Sequence, residues 1–379
     1  MSDLKKASLE TIGDSRKVGQ ETAQHYTEVN YLRGFAILSV ISIHVSASFR
    51  NMTNINSLTV LYMAIDSLSQ VAVPAFISIS GFGLYNSYNV NFQIGHFYRK
   101  RFKYILPPYF IFSTLYAICN SEIRGKLLNF DLSSILIMYL TGGACYHLWF
   151  FALIIPLYLL YPLIVKIYIY FENKNDVVLF LLVAFLLGMV YDIFLYKISL
   201  FATYMTFIGY LFYFIFGMFI KSNYESIKLK SFSKMYYFSI FIFLLLKTFL
   251  GIVSYANKYF SYNLFSFGPR WQIWRVFEAV VTPLYFIIIF TVILYISIFL
   301  SKSKRLQIID KLGSYSFSIY LIHAMLLALI VLALSKIGFN WNNLLFYPYA
   351  FALTLILSIF SVKIFEQIPY GNYIIGKKS

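Results

Sequence analysis

Arg33 and His44 stand inside the first long apolar run of this chain, VNYLRGFAILSVISIHVSASF, residues 29–49. The run is long enough to cross a bilayer as a helix. A cation within such a segment costs a few kcal/mol or more, so it needs a paired or water-filled niche. Guanidinium groups suit phosphate, and an imidazole can take a proton from a hydroxyl near neutral pH. The plainer readings are an Arg33 that snorkels to lipid head groups and a His44 that is a satisfied core residue. Eleven residues separate the two. At 1.5 Å each that is roughly 16 Å of helix, so they sit at two depths.

Further polar residues recur in or beside apolar runs. HFYRKRFKYILPPY gathers Arg99, Lys100, Arg101 and Lys103 ahead of a span that is expected to open at Pro107 and Pro108. It reads either as a topology signal touching anionic lipid or as a phosphate clamp. His147 opens the span CYHLWFFALIIP, at a depth comparable to His44, and Trp149 follows it. Two histidines at one cavity suit proton transfer. His323, in SYSFSIYLIH, lies mid-span and is a third candidate after these two, whereas His25 and His96 fall in loops. Arg275 and Glu278 are three residues apart and share a helix face. With Lys247 they are expected to form an ion pair shielded from lipid, or alternatively to bind an acceptor. Gly81, in SISGFG, allows close helix approach or simple packing.

The elements that position these residues follow from composition. Hydrophobic residues make up 60% of the 379, charged residues 12%, and mean hydropathy is +0.72. Soluble domains are nearer half apolar and a quarter charged, so the expected fold is all-α and polytopic, with about ten transmembrane helices. They are expected near 30–49, 69–88, 104–119, 147–171, 177–193, 201–220, 235–255, 272–300, 313–335 and 344–368. Ser57–Ser67 and Leu132–Leu140 look too short to cross and are expected at the outer face.

The net charge of +16 is scattered between apolar runs, which speaks against nucleic acid. With the N-terminus inside, nineteen basic residues fall in inner segments and seven in outer loops. That asymmetry places both termini in the cytoplasm, for a multi-pass protein of the cell membrane in contact with its lipids. Residues 1–28 lack a signal-peptide core and read as a cytoplasmic tail, 29–369 as one transmembrane domain, and 370–379 as a second tail. Cys119 and Cys145 are the two cysteines and read as unpaired thiols, with a disulfide as the alternative. Without CxxC, HExxH, GxGxxG or Walker patterns, no metal, redox cofactor or nucleotide hydrolysis is expected.

The pieces YLRGFAILSVISIH, FISISGFGLY, RKRFKYILPPY, HLWFFALIIPLYLLYP, YFIFGMFI, LGSYSFSIYLIH and FEQIPYGNYIIGK resemble, in this order, the acyltransferase 3 family of integral membrane proteins. The resemblance covers nearly the whole chain. It implies transfer of an acyl group, acetyl or succinyl above all, from cytoplasmic acyl-CoA to a hydroxyl of a surface polysaccharide or lipid-linked glycan, without metal. By position Arg33 and His44 match the family's first-span arginine and histidine, Arg99 and Arg101 its basic loop, His147 and Trp149 its HLWF string, and Glu366 its C-terminal acidic position. With the residue reading, Arg33, Arg99 and Arg101 are then expected to hold the CoA phosphates, His44 and His147 to catalyse, and Trp149 to touch the acceptor, with Arg275 and Glu278 as acceptor contacts on the residue reading alone. Two departures stand out. Asn30 replaces the Asp that many members carry three residues before the arginine. No C-terminal SGNH-type domain follows, so the chain is expected to act alone or with separate glycan-synthesis proteins. The competing reading is a glycan exporter or flippase without acyl transfer. Internal repeats would favour it, and none is evident.

Overall fold

The computed structural model describes residues 26–89, 92–120, 125, 131–194, 205–229, 234–260 and 270–377, the side chains of 229, 234–235 and 270–275 excepted. Every regular element among them is helical. In chain order these are α1 (Thr27–Ser46), α2 (Ser57–Ser69), α3 (Ala72–Ser87), α4 (Ile94–Cys119) and α5 (Leu132–Thr141). Then come α6 (Trp149–Asn173), α7 (Val177–Ile193), α8 (Phe207–Ser222), α9 (Tyr224–Leu229) and α10 (Lys234–Phe260). The last four are α11 (Arg270–Ser303), α12 (Gln307–Lys336), α13 (Phe346–Gln367) and α14 (Gly371–Ile374). Backbone groups pair within each segment, as a span through hydrocarbon demands.

Among the described residues, seven helical runs are long and apolar enough to cross a membrane, and α5, α7 and α8 are shorter apolar helices. α4 has the length of a span, 26 residues, but carries the basic cluster on its first turns. The helix was expected to begin near residue 104. It begins instead at Ile94 and runs through Pro107 and Pro108, so the arginines ride on the helix rather than on a loop before it. Neighbouring helices make interior prolines tolerable in such a setting.

The stretch 57–67, expected to lie at or dip into the outer face, forms α2 and is joined to α3 through Gln70 and Val71 in one apolar run, Ser57–Ser87. Its polar stripe faces inward. Asp66 and Ser67 are fully buried, and Ser67 donates to the Lys247 carbonyl of α10 at 2.9 Å.

Two helix pairs are notched together by glycine. A Cβ on Gly34 of α1 would sit 2.3 Å from the Ile309 carbonyl oxygen, and one on Gly313 of α12 only 1.8 Å from that of Asn30. Likewise Gly81 of α3 faces the Phe214 carbonyl oxygen at 2.0 Å, and Gly217 of α8 faces that of Ser78 at 1.9 Å. Small residues let backbones meet where lipid supplies no hydrophobic drive. Gly81 thus serves close helix approach, toward α8. Beyond α13 the chain turns back: Ser318 donates to the Ile375 carbonyl at 2.9 Å, and Lys377 pairs with Glu366.

Candidate active site

α1 crosses α12 at the Gly34–Gly313 notch, and both run away from it in the same direction. Ten residues beyond each glycine stand His44 and His323. Their rings stack with centroids 5.2 Å apart and planes 26° apart. His147, in the turn that leads into α6, completes a cluster at 5.1 Å from His323 and 6.5 Å from His44. Three imidazoles therefore meet, although the spacing pointed to a pair. Nothing in periodicity ties residue 323 to residue 44; only the helix crossing does.

The three rings differ in their hydrogen bonding. His323 is 0% exposed, and its Nδ1 contacts the main-chain carbonyls of Tyr320 at 2.8 Å and Ile319 at 3.1 Å. Both partners are acceptors, so Nδ1 carries the hydrogen and Nε2 presents a lone pair. Among the described residues that Nε2 is buried without a partner, as are both ring nitrogens of His147. The turn bearing His323 is itself held. Tyr116 of α4 donates to the Leu321 carbonyl at 2.8 Å and accepts from the Met325 N–H at 3.2 Å, two groups that an uninterrupted helix pairs with each other. Tyr320 lies on the same face of α12 as His323, donates to the His147 carbonyl, and sets its ring 5.3 Å from that imidazole. Tyr146 tilts against His44 at 4.8 Å.

His44 and His147 line a cavity of about 300 Å³, with Tyr320, Trp149, Tyr210 and Tyr213 also in its wall. His323 lies behind, not in the lining. The cavity thus offers two imidazoles backed by a third, with aromatic faces alongside. Among the described residues, no group of three or more His, Cys, Asp or Glu side chains is placed to hold a metal ion.

A second cavity, about 310 Å³, lies toward the other ends of the same helices. Arg33 of α1 and Arg101 of α4 both line it, with Asn30, Ser80 and Tyr158. Arg33 donates to the Asn30 side-chain oxygen at 3.5 Å, and among the described residues no carboxylate lies within 4.0 Å of either guanidinium. Arg101 packs over the Tyr88 ring at 5.3 Å, and its buried Nε has no hydrogen-bond partner among the described residues. Two cations without an ion pair among the described residues suit an anion with several oxygens. Arg99 is exposed and outside this lining. Two residues apart on a helix means about 200° of rotation, so α4 turns Arg99 away when it turns Arg101 inward. The two cavities share no lining residue, and fully buried Ile37 and Ile77 fall between them along α1 and α3.

The polar residues of α10 and α11 are arranged otherwise than expected. Lys247 is 2% exposed and donates to Thr282 at 3.1 Å, but forms no ion pair with Glu278 within 4.0 Å. Both line a third cavity instead, since the crossing of α10 and α11 leaves a gap where direct contact was expected. The Arg275 side chain lies outside the described residues. Cys119 and Cys145 are free thiols.

No curated protein and no solved structure matches the chain. A family model described as an acyltransferase domain matches residues 26–363, from the start of α1 almost to the end of α13, and so takes in all three histidines and both cavity arginines. The chain belongs to this acyltransferase family and is a membrane enzyme that transfers acyl groups.

Proposed function

We propose that this chain is a multi-pass O-acyltransferase of the cell membrane, both termini cytoplasmic, that carries an acyl group from cytoplasmic acyl-CoA to a carbohydrate hydroxyl at the outer face. The observation that carries the reading is the pair of cavities built on one helix. Arg33 faces the first and His44 the second, roughly 16 Å apart along α1. CoA has an anionic head and a long flexible pantetheine arm, which matches a cationic mouth and a distant base. Arg33 and Arg101 hold the phosphates by charge-assisted hydrogen bonds. The Ile37–Ile77 layer parts for the arm, and the thioester comes to rest beside His44.

The acceptor oxygen then bonds to the thioester carbon while the carbon–sulfur bond breaks. His44 takes the hydroxyl proton and delivers it to the departing thiolate. His147 orients the acceptor hydroxyl, and Trp149 offers a ring for the sugar face. An acetyl or succinyl group on a surface polysaccharide or lipid-linked glycan is the expected product, made alone or beside separate glycan-synthesis proteins.

The test is acyl transfer from radiolabelled acetyl-CoA or succinyl-CoA to glycans in membranes that carry the protein. Label should enter the glycan with the native chain and not with His44→Ala. Equal labelling by the two, or glycan movement across the bilayer without acylation, overturns the proposal.

A further inference from the structure

The third cavity, about 340 Å³, adjoins the histidine cavity, for Gln70, Asp192, Tyr213 and Thr282 line both. Its own wall adds Lys247 of α10 and Glu278 of α11. This is an unusual gathering for a bundle of apolar helices: an ammonium, two carboxylates and an amide converge on one space. Polar and charged residues at such a depth need partners, and default to a functional reading. Here the obvious internal solution is not taken. Lys247 and Glu278 face one cavity without an ion pair between them.

Gln70 is held for a task of its own. Its amide nitrogen donates to the Tyr255 hydroxyl, which in turn donates to buried Asp66. Asp66 also accepts from Ser46 at 3.3 Å. The amide oxygen of Gln70 is thereby left as an acceptor. At the adjoining wall, His147 is 2% exposed and both its ring nitrogens lack a partner among the described residues. The inventory is therefore rich in acceptors, with one ammonium already shared with Thr282.

We infer that this cavity is the acceptor subsite and that it takes an uncharged polyhydroxylated ring, a neutral sugar, laid across the gap between Lys247 and Glu278 with one hydroxyl reaching His44 and His147. The inference rests on the acyl-transfer reading for its orientation, but the sugar selectivity follows from the wall itself. Sugar hydroxyls donate to Glu278, Asp192 and Gln70 and accept from Lys247. A uronic acid or phosphosugar would set its own charge against two carboxylates in a site of reduced dielectric, where repulsion is stronger than in water.

The protein is placed in phosphatidylcholine nanodiscs, which avoids sugar detergents, and binding of radiolabelled methyl β-glucopyranoside and methyl β-glucuronide is measured. The neutral glycoside should bind at least tenfold more tightly. Glu278→Gln should narrow that ratio by threefold or more, weakening the glucoside and strengthening the glucuronide; Asp192→Asn, at an exposed position, should shift it the same way. A loss of fold lowers both affinities together and cannot produce this crossing. Equal binding of the two glycosides, or a ratio unmoved by both variants, overturns the inference. Binding of CoA is followed in parallel with Arg33→Ala. A chain that discriminates the sugars but binds no CoA keeps this subsite and loses the transfer reading.

Discussion

The imidazoles of His44 and His323 stack at 5.2 Å although 279 positions separate them in the chain. The contact exists because Gly34 and Gly313 let two parallel helices touch at backbone distance, and both then rise ten residues from the same crossing. His44 is thereby held between His323 and Tyr146 on the wall of a cavity.

Replacing each histidine separates its role. His44→Ala should lower the transfer rate by roughly a hundredfold or more, the usual contribution of a positioned general base, while CoA binding stays unchanged. His323→Phe keeps an aromatic ring behind His44 and removes the buried Nε2, so it should cost about tenfold in kcat with little change in KM, as expected of a group that acts through another. Single-turnover kinetics with labelled acyl-CoA read both effects.

The basic cavity predicts an asymmetry within the RKR cluster. Arg33→Ala and Arg101→Ala should each raise the KM for acyl-CoA by about ten- to a hundredfold, since a hydrogen bond to a charged group contributes about 1.5–3 kcal/mol. Arg99→Ala should stay within about twofold, because its side chain lies outside the cavity lining. Arg33→Lys should recover only part of the loss, for an ammonium lacks the guanidinium fork. Titration with CoA against dephospho-CoA reports which phosphate each arginine meets.

Glycine at the notches should be irreplaceable even by alanine. A methyl group at Gly313 or Gly217 meets a backbone oxygen below 2 Å. Forced repacking of this kind costs about 1–3 kcal/mol. Gly313→Ala should therefore lower thermal stability and also reduce transfer, since it shifts His323 relative to His44. Gly217→Ala should lower stability as well, and any effect on transfer should come through Tyr210 and Tyr213 of α8 rather than through the imidazole stack. Gly95→Ala, with nothing within 4 Å of the added carbon, is the control and should leave melting unchanged in nanodiscs.

Tyr116 offers a subtler test. Its hydroxyl bridges Leu321 and Met325 on either side of His323. Tyr116→Phe should cost about 1 kcal/mol of stability. It should also reduce kcat severalfold without affecting CoA affinity, as the turn beneath His323 relaxes. An unchanged kcat in a folded variant would show that this turn needs no outside support.

Residues 29–49 already carry much of the outcome: an apolar run too long for anything but a buried or spanning helix, with Arg33 and His44 at two depths. Helix rise alone fixes that separation, and composition alone fixes an all-helical membrane class, because lipid tolerates few other backbones. Rotation and crossing are another matter. In a water-soluble helix the apolar stripe shows which side faces the core, but here lipid-facing and protein-facing sides are both apolar, so the pattern carries no such signal. The reversal of Arg99 against Arg101, the arrival of His323, and the open gap between Lys247 and Glu278 were therefore settled only by packing. The glycine notches that do this packing are visible in the sequence as glycines, but which carbonyl each one meets depends on the partner helix, and that is decided in three dimensions.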